Sequence, residues 1–391
     1  MKISADIFEN TQTAYQTKSD ADLHKAKALF QLMSNNSLVT LGSSLATFAL
    51  SLRLPVSPLF RHTVYNNFCG GETFAECKKT IQKLEKSGVG VLLNYGVELK
   101  ETEEDFDKTI AKNIEALEFA SNNRSVKALC IKITGFGRFG LFEKIQSGEK
   151  LSAEEKKEFA RVKKRFEKLC EVAAKNEVPL YVDAEESWIQ NPLDEVVEEM
   201  MAQHNREKCI VFNTFQLYRW DRLEYLQSQL KKAQAGKYHL GAKLVRGAYM
   251  EKERERAAEM KYPSPIHKTK KATDADFDEA VNICLDHLHI VSLCIASQSE
   301  HSNLLAIQQM EKKKIDRNHP GVLFSQLYGM GDNITFNLAQ LGLLATKYLP
   351  YGPVKEVIPY LIRRAQENTS VAGQTTRELS LIKKEVKRRK A

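Results

Sequence analysis

Lys127-Ala-Leu-Cys-Ile-Lys-Ile-Thr-Gly-Phe-Gly-Arg-Phe-Gly140 begins as an apolar, strand-like run and ends in G-x-G-x-x-G, the glycine pattern that cradles a dinucleotide in doubly wound sheets. The residues downstream of the glycines decide between that fold and a barrel. A dinucleotide unit needs a second strand ending in an acidic residue about 20 positions on. Here residues 154–173 read instead as a charged helix, and the next strand-like run, Val178-Pro-Leu-Tyr-Val-Asp183, starts only after it. The glycines therefore read as a βα loop. Working outward, similar runs recur at Val89–Val97, Cys209–Phe215, His239–Val245, His289–Ser297, Gly321–Leu327 and Lys347–Pro350, with helix-like segments between them. Eight buried-type strands alternating with amphipathic helices predict an α/β chain built as a (βα)8 TIM-like barrel. Such a barrel takes about 250 residues. The chain then divides into an N-terminal helical arm (1–86), a barrel domain (87–375) and a basic C-terminal tail (376–391). No internal repeat or low-complexity stretch interrupts it.

At 391 residues, 42% hydrophobic and 28% charged, the chain can bury a full core. Its seven cysteines are odd in number, scattered and without a Cys-x-x-Cys pair, which argues against a disulfide framework or zinc site and for a reducing compartment. The N-terminus does not read as a secretory signal. The apolar run Leu38–Leu52, broken by Gly42, Ser43 and Ser44, is too short for a membrane span, and its helical spacing predicts a helix packed on the domain, with a surface membrane anchor as the alternative. The net charge of +8 does not point to nucleic acid. The tail (Lys383, Lys384, Lys387, Arg388, Arg389, Lys390, less Glu385) carries +5 of it, leaving +3 for the body. That cluster reads as a solvated helix end, with an anionic membrane surface as the alternative partner.

In parallel barrels the chemistry sits where strands end. Those positions hold Lys132, Asp183 with Glu185 and Glu186, Gln216, the Lys243–Tyr249 segment, Ser297-Gln298, Leu327 and Tyr348. Beyond the eighth strand, Tyr360-Leu-Ile-Arg-Arg-Ala-Gln-Glu-Asn368 sets adjacent guanidinium forks, Arg363 and Arg364, one helical turn before Glu367, which can orient them. Two forks make a strong carboxylate clamp. With Tyr348 and Tyr360 nearby, they suggest a small pocket, apolar on one side and anion-binding on the other. No metal site is expected. His287 and His289 lie at a strand entrance, and the carboxylates of Asp183-Ala-Glu-Glu186, which could seat magnesium, have Lys132 and the arginines as opposite charges.

Taken together, these strand ends resemble proline dehydrogenase. The match runs from Leu92-Leu-Asn-Tyr-Gly-Val-Glu98 through Val182-Asp-Ala-Glu-Glu186, Phe212-Asn-Thr-Phe-Gln216, Gly241-Ala-Lys-Leu-Val-Arg-Gly-Ala-Tyr249 and Gln326-Leu-Tyr-Gly-Met330 to Arg363-Arg364, and is closer to the single-function, mitochondrial-type enzymes than to the large bifunctional ones. The resemblance implies a distorted barrel with FAD along the strand ends and the arginine helix, as the last helix, over the barrel mouth. It also implies oxidation of L-proline to 1-pyrroline-5-carboxylate by hydride transfer to the flavin N5, with electrons passed to a membrane quinone. By the same resemblance Arg363, Arg364 and Lys132 bind the substrate carboxylate, Tyr249, Leu327, Tyr348 and Tyr360 wall the ring, and Asp183 holds the charged network. Gln216, Lys243, Val245, Gly247, Ser297, Glu367 and, in a variable loop, Lys270 correspond to FAD contacts. Gln298 stands where the family usually has histidine, at a contact to the phosphate or adenosine part of FAD. Asn94 replaces a common aspartate. Tyr348 marks the proline-preferring members, whereas hydroxyproline-specific relatives carry serine there. The expected setting is a reducing interior compartment, cytoplasmic or its equivalent, with peripheral attachment to the inner membrane.

Two other readings remain open on residues alone. Lys132 and Lys243 on barrel strands would also suit a Schiff-base (class I) aldolase. A cofactor-free carboxylate binder could use the same clamp.

Overall fold

The structure is a computed structural model describing residues 4–35, 60–96, 101–370 and 374–390. Eight parallel strands close a barrel in sequence order. They are β1 (Gly90–Tyr95), β2 (Val126–Ile131), β3 (Leu180–Val182), β4 (Val211–Gln216), β5 (Leu240–Val245), β6 (Val291–Ala296), β7 (Val322–Leu327) and β8 (Ala345–Tyr351). Each run expected from the sequence overlaps one of them, and helices alternate with them as a parallel barrel requires.

Two compact units make up the chain, Leu99–Ser325 and Met1–Glu98 with Gln326–Ala391. In the first, Thr102 caps the Glu103–Ser121 helix, whose opening turn carries Glu103, Glu104 and Asp105, acids that suit the positive helix end. The Ala153–Lys175 helix starts from a full capping box of Ser152 and Glu155. The glycine-rich loop after β2 leads into the short Phe139–Gln146 helix, and a second helix comes before β3. Gly137 is there for packing, because a Cβ would sit 2.4 Å from Val162 Cγ2. That agrees with a βα loop. Register sets Lys243 of β5 between Thr214 of β4 and Cys294 of β6.

In the second unit, β1 and β8 pair from Gly90 with Thr346 to Tyr95 with Tyr351. An apolar cluster joins Tyr15, Leu23 and Phe30 from the N-terminal helices to Val357, Ile358 and Leu361 of the Val354–Ser370 helix and to Leu381 and Ile382 of the Gln374–Lys390 helix. This last helix contains the basic tail. It is no simple solvated end, since Thr375, Glu378, Leu381, Ile382 and Glu385 form a buried stripe at helical spacing. The Leu38–Leu52 run lies outside the described residues. Among the described residues no helix is long and apolar enough to cross a membrane.

Candidate active site

Lys132 is the first residue past β2 and Asp183 the first past β3, so the backbone delivers both at strand exits. Lys132 Nζ donates to the buried Tyr249 hydroxyl at 3.1 Å and lies 3.8 Å from the Glu185 carboxylate, which also accepts from Thr134 Oγ1 at 2.7 Å. One fifth of the Lys132 side chain is exposed (19%), so it can still meet a ligand. Asp183 accepts from Lys243 Nζ at 2.5 Å, and Lys243 is almost fully buried. Burial alone would lower the lysine's pKa, but the Asp183 carboxylate outweighs it and raises it above the ordinary value. A lysine held as ammonium is a poor imine-forming nucleophile, which counts against Lys243 as an aldolase lysine. Of the carboxylates that could have seated magnesium, Asp183 and Glu186 are each taken by a lysine, Lys243 and Lys252 respectively.

The exits of β4, β5 and β6 form a polar group of their own. Gln216 Nε2 donates to Glu185 O at 2.7 Å while its Oε1 accepts from Ala248 N at 3.2 Å. Arg246, which the sequence reading passed over, is held three ways: Nε to Asp274 Oδ1 at 2.8 Å, Nη1 to Ser297 Oγ at 2.7 Å and Nη2 to Ser302 Oγ at 2.9 Å. Its guanidinium stacks over Phe277, 4.5 Å from the ring centroid. The signal for it was present, an arginine between a strand end and Gly247 inside the most specific motif. Gly247, exposed after Val245, has φ +141° and would set a Cβ 2.5 Å from the Tyr218 ring, so no other residue fits there. The Gln298 side-chain oxygen is buried with no hydrogen-bond partner among the described residues. Lys270 is exposed and donates to Asp274 at 2.5 Å, at the start of its helix.

In the other unit, Leu327 ends β7, and Tyr348 lies in β8 opposite Leu92. Both pack against the apolar cluster that includes Tyr360. Tyr360 and Arg364 are one helical turn apart, and the Arg364 guanidinium stands 5.2 Å from the Tyr360 ring centroid. Arg364 is buried, only 8% exposed, so its charge is kept out of bulk water. The side chains of Arg363 and Glu367 lie outside the described residues. Next to Tyr348, Lys347 is bound to Asp332 at 2.8 Å, and Lys18 reaches the other oxygen of the same carboxylate at 3.0 Å. Sequence reasoning missed this triad.

A family model for proline dehydrogenase matches residues 77–377. The chain belongs to the proline dehydrogenase family. It is 30% identical to a mitochondrial proline dehydrogenase 1 of Dictyostelium discoideum, over 97% of this chain and 74% of that protein. It is also 29% identical to a hydroxyproline dehydrogenase of Xenopus laevis, over 96% of this chain and 88% of that one. Among solved structures, proline utilization A from Bdellovibrio bacteriovorus, inactivated by N-propargylglycine, superposes with a TM-score of 0.71 at 18% identity. The superposition covers 92% of this chain but 38% of the larger protein, and supports the proline dehydrogenase barrel fold. The relatives of this chain are thus named for different rings, so the identity of the substrate turns on the side chains around it.

Proposed function

We propose that this protein is an FAD-dependent dehydrogenase that oxidises L-proline to 1-pyrroline-5-carboxylate and passes the electrons to a membrane quinone, the first step from proline to glutamate. The observation that carries the reading is a buried guanidinium, Arg364, over the ring of Tyr360, a member of the apolar cluster that Tyr348 and Leu327 pack against. That is the chemistry a small ring with a carboxylate requires. Arg363, Arg364 and Lys132 bind the carboxylate, and Tyr249, Leu327, Tyr348 and Tyr360 hold the ring faces. Asp183 keeps Lys243 charged and fixed, so the lysine presents a positive edge in a set position. Fixing one end and both faces of a rigid ring restricts the reacting C–H bond to one approach. Hydride loss from the carbon beside nitrogen also needs the nitrogen lone pair, and the gathered cations favour the uncharged amine.

The strand-exit residues fit FAD. Gln298 offers a buried oxygen without a partner, suited to an adenine amine, and Arg246 a guanidinium fixed for phosphate. Gly247 lets a ligand approach the backbone closely. Gln216, Lys243, Val245, Gly247, Ser297, Gln298, Glu367 and Lys270 would hold it. Bound FAD supplies the two-electron acceptor for the hydride. The reading is tested by the absorption spectrum of the purified protein, which should be yellow and bleach anaerobically on adding L-proline. A colourless protein that borohydride traps on a carbonyl substrate would establish the aldolase instead.

Tyr348 should decide which ring is accepted. Its half-buried ring packs against the apolar cluster that includes Tyr360, and it would take the space that a 4-hydroxyl group needs. The wild type is expected to prefer L-proline strongly over trans-4-hydroxy-L-proline. Tyr348→Ser should narrow the preference about tenfold, or ~1.4 kcal/mol, chiefly by weakening proline binding. Steady-state kinetics with both substrates on both proteins measure it, and equal kcat/KM values for the wild type would refute the assignment.

A further inference from the structure

Among the described residues three large apolar side chains stand more than half exposed, and two of them, Trp220 (61%) and Met260 (62%), belong to neighbouring loops of the Leu99–Ser325 unit. These loops come after β4 and β5. They are clipped together by Trp220 N to Pro265 O at 3.1 Å, His267 N to Tyr218 O at 2.8 Å and an antiparallel bridge between Arg219 and Ile266. The Trp220 indole N–H donates to Ser264 O at 3.3 Å, so the ring is held on the loop surface. Met260 ends the Met250–Glu259 helix four residues before Ser264, and Pro263 and Pro265 stiffen the turn between. The charge of the segment that follows Met260 is one-sided. From Met260 to Thr273 there is no acidic residue, and Lys261, Lys268 and Lys271 are exposed. Lys270 is paired with Asp274, and Asp221 is neutralised by Arg219 and Arg222. Glu224, Glu255 and Glu259 are exposed acids at its edge.

We propose that this clip is a docking surface for an anionic lipid bilayer, with Trp220 and Met260 entering the headgroup layer and the lysines meeting lipid phosphates. A tryptophan with an apolar body and a polar tip is suited to a membrane interface, and each nearby lysine adds electrostatic attraction. Nucleic acid fits less well, since Trp220 and the half-buried Tyr262 offer no run of stacking aromatics. The clip ties the loop that leaves the C-terminal end of β4 to the segment after the Met250–Glu259 helix, and strand C-terminal ends are where such barrels carry their chemistry, so docking would bring that end to a lipid-dissolved acceptor. This part rests on the quinone reading. The basic tail is the weaker candidate, because Arg388 and Arg389 pair with Glu385, Arg389 also binds Asp20, and Lys384 binds Glu9.

The chain has two tryptophans, so Trp188→Phe leaves Trp220 as the sole indole reporter. The flavin-loaded variant is titrated, without substrate, with vesicles of phosphatidylglycerol and phosphatidylcholine, and with phosphatidylcholine alone. Trp220 emission should shift to the blue and be quenched by brominated lipid only with the anionic vesicles. Lys261→Gln and Lys268→Gln should each weaken partitioning about fivefold, and high salt should abolish most of it. Trp220→Ser, assayed by sedimentation, should lose about tenfold or more, while dye-linked proline oxidation stays unchanged. The proposal is overturned by unshifted Trp220 emission in vesicle-bound protein, by equal binding to neutral vesicles, by no vesicle binding, or by loss of binding on Lys383→Gln/Lys387→Gln/Lys390→Gln with the clip variants neutral. Because binding is read without turnover, a protein that binds vesicles but fails to oxidise proline would sink the enzyme reading alone.

Discussion

Arg364→Met is expected to lower kcat/KM for L-proline about 30- to 150-fold, with most of the loss in the apparent KM. A charge-assisted guanidinium–carboxylate contact is worth about 2–3 kcal/mol, several times what an exposed ion pair contributes. Burial puts Arg364 in the stronger class, because it is 8% exposed and lies against Tyr360. Methionine retains much of the apolar stem, so the cluster of Val357, Ile358, Tyr360 and Leu361 should stay packed and the effect should be on the substrate. Arg363→Met is expected to fall in the same range. Kinetics should be paired with the flavin-to-protein absorbance ratio and the unfolding midpoint. If both variants keep kcat/KM within threefold of wild type with FAD fully bound, the carboxylate clamp is elsewhere. A loss accompanied by a falling flavin content would instead assign these arginines to cofactor retention.

The barrel was legible because its strands are short, apolar and β-branched and recur between amphipathic helices, a pattern set by local sequence. Strand edges were less so. β3 shrinks to Leu180–Val182, with Pro179 lacking an N–H just before it, whereas β8 extends from Ala345 and carries Pro350 within it. Lys132 and Asp183 could be found because a polar residue directly after a buried strand is a positional signal. Arg246 could not be ranked in the same way. Its importance comes from Asp274, Ser297 and Ser302, which approach it only in the folded chain. The Lys18–Asp332–Lys347 triad is a stronger case, since its members come from the N-terminal segment, the start of the Asp332–Gln340 helix and β8. In the sequence, Lys347 is only a polar residue in an apolar strand. The tail misled for the opposite reason. Counting its cations hid the stripe of Leu381, Ile382 and Glu385 that packs the same helix down.

Asp332→Asn should destabilise the protein by about 3–5 kcal/mol at neutral pH, because removing one member of a buried ion pair leaves the partner's charge uncompensated. Here two partners lose it. Lys347 is 1% exposed at its side chain and otherwise donates to the Met330 and Leu327 carbonyls, while Lys18 is 19% exposed and can recover some hydration. The pH dependence gives a second reading. Burial alone would raise the Asp332 carboxyl, but Lys18 and Lys347 outweigh it and hold it down at about 2. A depressed carboxyl contributes stability that is complete above its unfolded value, about 3.9, and is lost as pH falls toward the folded one. Through the titration of Asp332 itself, the difference between wild type and Asp332→Asn should therefore shrink below about pH 4. Glu378, in the same unit and bonded to Gly331 N, has the opposite sign. Burial, then the Asp332 charge, pushes it up to about 7. Its carboxyl stays protonated in the fold where the unfolded chain ionises, so wild-type stability falls as pH rises from about 4.3 to about 7. Glu378→Gln should flatten that slope and leave the variant more stable than wild type at pH 8. In Asp332→Asn, Glu378 loses its repelling neighbour and can ionise beside the two lysines, offsetting part of the damage. The double variant should thus be less stable than the two single changes predict when added. Denaturant unfolding of the four proteins at pH 5 and pH 8 measures this, and an Asp332→Asn penalty under about 1 kcal/mol, or strict additivity, would remove the buried network from the account of stability.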